Sequence, residues 1–258
     1  MLKKLEILGG YDKHGGKESV KSLVLEKGNI YTIVGKTGSG KTQLIEDIES
    51  LNNGEGITKR TILIDGVIPD DSFHQGYRSQ FIAHLSQNMN YILDMPVVEF
   101  LKLRNSLQGH NNLEGSPDKL LATANMLAGE EIQPFQLLTR LSGGQSRALM
   151  IADVALNSKA PVILIDEVEN AGIDRIKAMS LLIGQEKIVL VVTHDPLLAL
   201  YGNKRIVLKH GGICHIIERT NEEKLLLNKL TNTHDAMETM RKLIRNGESI
   251  KGVNYIGI

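Results

Sequence analysis

The sequence predicts an α/β fold: a parallel sheet buried on both faces, an antiparallel β edge at the N-terminal side, and a helical lobe inserted into the middle. Three observations carry this. Short runs rich in Ile and Val recur at Ile30–Val34, 62–64, 162–165 and Ile188–Val192, bounded by Gly, Asp, Pro or Thr. Near-continuous apolar runs of that length suit strands covered on both sides. A glycine-rich loop at 35–42 joins the first of these runs to a helical pattern. From about 88 to 156 the texture is helical, and strand–helix alternation then resumes from Pro161 to Ile217, which makes the helices an insertion into an α/β core. There is no Trp and aromatic content is 4%, so the core has to be aliphatic.

The elements follow in order. Leu5, Ile7 and Leu8, then a turn containing His14-Gly15-Gly16, then Val20, Leu23, Val24 and Leu25 read as the antiparallel edge. Ile30–Val34 is a strand, 43–51 a helix and 61–65 a further strand. Val98, Leu101 and Leu107 recur at helical spacing within Val97–Leu107. The Ser-Pro-Asp entry at 116–118 is a helix start, with Pro at the first helical position. A third helix is expected over 146–156. Residues 222–245 are charged, with Leu226, Leu230, Met237, Met240 and Ile244 at intervals of three, four or seven, which predicts one or two amphipathic helices. The end, 255–258, reads as loosely held.

Residues 35–42 are Gly35-Lys36-Thr37-Gly38-Ser39-Gly40-Lys41-Thr42, which satisfies G-x-x-x-x-G-K-[ST] at each required position. The glycines let consecutive backbone N–H groups turn inward around phosphate oxygens, and the helix that follows adds a favourable dipole. Lys41 brings positive charge to β and γ phosphates, and Thr42 offers a hydroxyl to Mg²⁺. Downstream, the apolar run at 162–165 ends in Asp166 and Glu167. Asp166 is placed to hold Mg²⁺ through water. Glu167 lies beyond it as the candidate general base for a water attacking the γ phosphate.

Between the loop and the acidic strand stands Leu141-Ser142-Gly143-Gly144-Gln145. In this order the three motifs resemble the nucleotide-binding domain of ATP-binding cassette (ABC) proteins, over roughly residues 2–217. The resemblance implies a P-loop NTPase core with an ABC-type helical subdomain, so that 1–217 form the ATPase domain, with the lobe at about 88–156, and 218–258 a helical extension. It implies ATP and Mg²⁺ as ligands, and only half a site in each chain. Ser142 and Gly144, flanked by Gly143 and Gln145, would meet the γ phosphate held on the loop of a second copy or a related cassette. Gln87 resembles the glutamine that senses Mg²⁺ and relays nucleotide state to the lobe. His194, after the strand and Thr193, resembles the histidine that contacts the γ phosphate and steadies Glu167. Tyr11 stands near where the family places an aromatic that stacks on adenine, and Asp174 is the choice for a residue acting across the dimer. Two departures stand out: the segment 168–174 is one residue longer than usual and lacks Pro, and Asp153 occupies a place where transporter subunits often have Arg.

Composition bounds the partners. Lys plus Arg is 30 and Asp plus Glu is 30; that balance argues against a broad nucleic-acid surface, so no nucleic-acid partner is expected. The single cysteine, Cys214, forbids an internal disulfide and fits a reducing compartment. The basic start is followed by too short an apolar run for a signal peptide, and no stretch approaches 18 apolar residues. A cytoplasmic location follows, peripheral at the inner face of a membrane if the partner is a permease. The altered 168–174 segment, the neutral charge and the unusual tail tilt the reading slightly toward a soluble ATPase that remodels or reactivates another protein. The alternative is the ATP-binding subunit of a membrane transporter, with Met95-Pro96-Val97 leading into a surface that receives the membrane component.

Overall fold

The computed structural model of the chain describes residues 2–70, 73, 78–86, 90–107, 116–166, 172–183 and 186–249. Two sheets organise it. The larger runs β5-β6-β7-β3-β8-β9, made of β3 (Ile30–Val34), β5 (Ile82–Leu85), β6 (Val162–Asp166), β7 (Ile188–Val192), β8 (Lys204–Lys209) and β9 (Gly212–Glu218). Its first five strands are parallel, and β9 is antiparallel to β8. The smaller is the expected antiparallel edge, in the order β2-β1-β4, from β1 (Lys4–Leu8), β2 (Ser22–Glu26) and β4 (Thr61–Ile64).

The strands alternate their side chains between two cores, as the pleat requires. Leu164 and Leu190 point to a layer filled by Leu5, Ile7, Leu23 and Leu25 of the small sheet and by Leu44, Ile45 and Ile48 of helix α1 (Lys41–Glu49). Ile163, Ile165, Val189 and Val191 point the other way, against Ile151 and Ala155 of one helix and Ala178, Met179 and Leu182 of another. Burial on both faces explains why these strands read as unbroken apolar runs rather than alternating ones.

The lobe has its own core. Helices α3 (Val97–Leu107) and α4 (Pro117–Leu127) contribute Val97, Leu101, Leu120 and Ala124, and α5 (Gly143–Leu156) contributes Leu149 and Ala152. Because α5 turns Ala148, Ile151 and Ala155 to the sheet and Leu149 and Ala152 to the lobe, it belongs to both bodies. A short helix, α2 (Arg78–Phe81), leads into β5. The second half completes the alternation with α6 (Arg175–Ile183) and α7 (Pro196–Tyr201).

Two helix starts and one strand differ from expectation, while the tail falls within it. Helix α1 starts at Lys41 and α5 at Gly143, each inside its glycine motif: the Gly40 carbonyl accepts from the Leu44 N–H at 3.0 Å and the Ser142 carbonyl from the Ser146 N–H at 2.8 Å. The tail is one helix, α8 (Asn221–Arg245), of 25 residues, opened by a capping box in which Thr220 and Glu223 satisfy each other's backbone N–H. Strand β5 was not expected: Ile82-Ala83-His84-Leu85 is too short and too polar to read as a core strand, yet it pairs in parallel with β6. Residues 255–258 lie outside the described residues.

Candidate functional site

The glycine loop connects the end of β3 to α1, and its form depends on two left-handed glycines. Gly38 has φ +75° and Gly40 has φ +97°, conformations L side chains rarely adopt. Lys41 folds back over the loop: its Nζ donates to the carbonyls of Gly35 at 3.0 Å and Lys36 at 3.3 Å. Ser39 Oγ is buried without a hydrogen-bond partner. A lysine parked on its own loop's carbonyls and an orphaned hydroxyl beside it are what a phosphate cradle offers to an incoming anion.

Beside the loop lies a cleft of about 440 Å³ lined by Lys41, Thr42, Asp166 and His194 among others. Asp166 is the last residue of β6, and its neighbour across the sheet is Val192, at the end of β7. Parallel pairing of β6 with β7 therefore delivers Asp166 and His194 to one rim, at the carboxyl ends of the strands, where open α/β sheets bind ligands. Thr42 and Asp166 share this cleft, so a hydroxyl and a carboxylate, hard oxygen donors suited to Mg²⁺, face the same space. The sequence-based assignments to Gln87 and Glu167 fall outside the described residues.

A second cleft of about 520 Å³ opens on the other side of the loop, sharing Thr37 and Gly38 with the first. Its walls are Lys13 and the end of β8 with the β8–β9 turn, including His210. That turn has φ +52° at His210 and +87° at Gly211, the positive pair of a type I′ hairpin. Sequence reasoning passed over Lys13 and this turn. The signal was available as His210-Gly211-Gly212 between two β runs. Tyr11 lines neither cleft; it is 40% exposed and forms a bridge with Lys17 at the base of the turn that carries Lys13.

Ser142, Gly143 and Gly144 also line neither cleft. They stand at the N-terminus of α5, where Ser142 and Gly143 are exposed. Ser142 Oγ accepts from the N–H of Gln145 at 3.3 Å, and Gln145 Oε1 accepts from the N–H of Ser142 at 2.9 Å. Gln145 is buried and its Nε2 donates to the carbonyl of Glu131 at 2.9 Å. Its side chain therefore shapes the turn and is not presented to a ligand, which narrows the expected contact set to Ser142, Gly143 and Gly144.

Asp174 caps α6. Its carboxylate accepts from the N–H of Lys177 at 3.1 Å and pairs with the Lys177 ammonium at 2.9 Å. Burial pushes its pKa up, but those Lys177 contacts, with His234 nearby, hold it below the usual carboxylate value. The Asp174 N–H donates to the Leu127 carbonyl at 2.9 Å, and Ala128 bridges Ile173, so this segment is tied to the lobe. On the other side, Arg175 pairs with Asp195 at 2.5 Å, next to His194. The unusual Asp153 has a local explanation: it pairs with Arg104 of α3 at 2.7 Å and accepts from Asn157 at 2.9 Å, bracing the lobe.

A glycine-rich phosphate loop, an acidic strand end and a serine–glycine helix start on one α/β frame define an ATP-hydrolysing cassette. Comparison with known proteins agrees. The profile of the family described as ABC transporter matches residues 20–170. The chain is 46% identical over 249 residues to an uncharacterized ABC transporter ATP-binding protein of Methanocaldococcus jannaschii, covering 96% of this chain and 95% of that one. It is 26% identical over 239 residues to the energy-coupling factor transporter ATP-binding protein EcfA2 of Staphylococcus aureus, covering 84% and 78% respectively. Among solved structures it resembles the dimeric MJ0796, a bacterial ABC transporter cassette, with a TM-score of 0.62, 26% identity, and coverage of 84% of this chain and 99% of that one. The chain belongs to the ABC transporter family, and it is an ABC-type ATP hydrolase.

Proposed function

We propose that this chain is the ATP-binding subunit of a membrane transporter and works as a head-to-tail pair that encloses Mg²⁺-ATP between its two copies. The observation that carries this reading is a separation within one chain. Lys41, Thr42, Asp166 and His194 converge on one cleft, while Ser142 and Gly143 stand exposed elsewhere, with Gly144 half-buried beside them. A serine and two glycines at a helix N-terminus form an anion site, and a second copy would bring that site to the first copy's nucleotide. The dimeric form of the related cassette supports the arrangement.

In this scheme the ATP phosphates replace the Gly35 and Lys36 carbonyls as partners of the Lys41 ammonium. Thr42, Asp166 and Gln87 would hold Mg²⁺, which offsets phosphate charge. Glu167 orients and deprotonates the attacking water, and His194 steadies it at the γ phosphate. The partner's Ser142 and Gly144 close the site, and Asp174 acts at the same interface. Hydrolysis removes the bridging charge, and the pair reopens.

The membrane partner is favoured by the relatives named as transporter ATP-binding proteins; a soluble remodelling role, slightly preferred on sequence alone, finds no support among them. The lobe adds a physical reason. Ile92 is 91% exposed, and Leu93, Leu103 and Leu107 are exposed on the same lobe; large apolar side chains left in water there give a membrane partner something to cover. No helix among the described residues is long and apolar enough to cross a membrane. The test uses Glu167→Gln protein with Mg²⁺-ATP. It is expected to form a dimer that sediments with native membranes, whereas the same protein carrying Ile92→Asp still dimerises but stays in the supernatant. Absence of an ATP-dependent dimer would remove the head-to-tail scheme. Membrane binding indifferent to Ile92 would remove the proposed docking surface.

A further inference from the structure

The nucleotide loop is braced from behind by a buried charge cluster that none of the motifs includes. Arg60 is 0% exposed. Its Nε and Nη2 donate to Glu18 Oε1 at 3.0 and 2.5 Å, its Nη1 to Asp47 Oδ2 at 2.7 Å, and its Nη2 to the Gly211 carbonyl at 2.6 Å. Glu18 and Asp47 are themselves buried. One guanidinium against two carboxylates leaves a buried excess of negative charge, which neutral donors meet. Gly10 N–H and Ile213 N–H donate to Glu18, and Thr58 and Asn52 donate to Asp47.

Buried ion clusters are a poor source of stability, because apolar side chains of similar volume usually do as well or better. What this one does is fix positions. The Gly211 N–H donates to the Ser39 carbonyl in the phosphate loop at 2.9 Å. A Cβ on Gly40 would meet Gly211 Cα at 2.7 Å, so the turn and the loop are in backbone contact. Glu18 reaches the other wall: it holds Gly10, beside Tyr11, while the N–H of Lys13 donates to the His210 carbonyl at 2.8 Å. Asp47 lies on α1, the helix that begins at Lys41.

We propose that Arg60 is a positioning residue for nucleotide binding: through Gly211, Glu18 and Asp47 it clamps the β8–β9 turn, the Lys13 turn and α1 around the phosphate loop, and so sets affinity for ATP without taking part in turnover. The proposal rests on the reading of the loop as the ATP site. It acts before the chemistry, because none of its partners, Glu18, Asp47 and Gly211, lines the cleft that holds Asp166 and His194.

The test is steady-state hydrolysis and equilibrium ATP binding by Arg60→Met, Arg60→Lys and Glu18→Gln, with Lys41→Ala as the reference for a lost site. Misplaced binding groups cost up to about a hundredfold, so Arg60→Met is expected to raise KM and Kd for ATP about ten- to a hundredfold, with kcat at saturating ATP within about twofold. Arg60→Lys, which keeps the charge but not the fork, is expected to recover part of the affinity. Should Arg60→Met fail to fold, Glu18→Gln, which keeps the volume and an acceptor, is expected to give the same split in smaller measure. Folded variants with the parent's KM and Kd overturn the proposal, as does a fall in kcat with KM unchanged. ATP binding that survives Lys41→Ala would overturn the site reading and the proposal together. Loss there with Arg60 indifferent overturns the proposal alone.

Discussion

Lys41 holds its charge on two backbone carbonyls of its own loop, ready to exchange them for phosphate. Lys187 is held the same way for a structural end. Its Nζ donates to the carbonyls of Ser158 at 2.6 Å and Val154 at 3.2 Å, closing the C-terminal end of α5, where a cation is favoured. Burial pushes its pKa down from 10.5 to about 8. A base whose folded pKa is lowered destabilises the fold fully below the folded value. Above it the unfolded chain binds the extra proton, so stability rises with pH from about 8 to 10.5. Denaturant midpoints of the parent are therefore expected to gain on those of Lys187→Met as pH goes from about 8 to 10; parallel pH profiles would show that Lys187 does not titrate in this window. Legibility at this scale divides by reach. That Lys41, Asp166 and His194 come to one cleft could be read because each belongs to a run whose strand or loop context lies beside it in sequence. Arg60 could not, because its partners are 13, 42 and 151 residues away, and no local pattern marks a pairing that distant.

The elements were legible where their periodicity was strong. Strands β3, β6 and β7 and the antiparallel edge fall where the apolar runs placed them, and α3 and α4 follow their helical spacing. The misses share one cause: tertiary pairing or capping decided the outcome rather than propensity. Strand β5 exists because β6 offers it a parallel edge, and β9 returns antiparallel because His210 and Gly211 take the positive φ a tight hairpin needs. Helix α5 starts inside Ser-Gly-Gly-Gln because Ser142 and Gln145 satisfy the two backbone N–H groups that would otherwise be orphaned. That gives Gln145 an expected signature distinct from a ligand contact. Gln145→Ala should lower stability by about 1 kcal/mol, the usual cost of a lost cap, seen as a reduced unfolding midpoint. An unchanged midpoint with weakened ATP binding would instead return Gln145 to the ligand's contact set.

At the scale of the whole molecule, the proposed reaction is divided between two surfaces of the fold. The sheet collects Lys41, Thr42, Asp166 and His194 at its carboxyl edge. Helix α5, shared between core and lobe, points Ser142 and Gly143 to solvent. Asp174 and Arg175 link these regions, reaching Leu127 in the lobe and Asp195 beside His194, and a partner docked on the lobe, as proposed, would be connected through them to the nucleotide edge. The measurement that tests the two-copy claim most directly mixes Lys41→Ala protein with Ser142→Arg protein, each expected to be inactive alone. Random exchange yields mixed pairs with one intact composite site, the loop of the Ser142→Arg chain facing the serine–glycine turn of the Lys41→Ala chain. Hydrolysis is expected to return to about a quarter of the parent rate. Parental activity from Ser142→Arg protein by itself would contradict it.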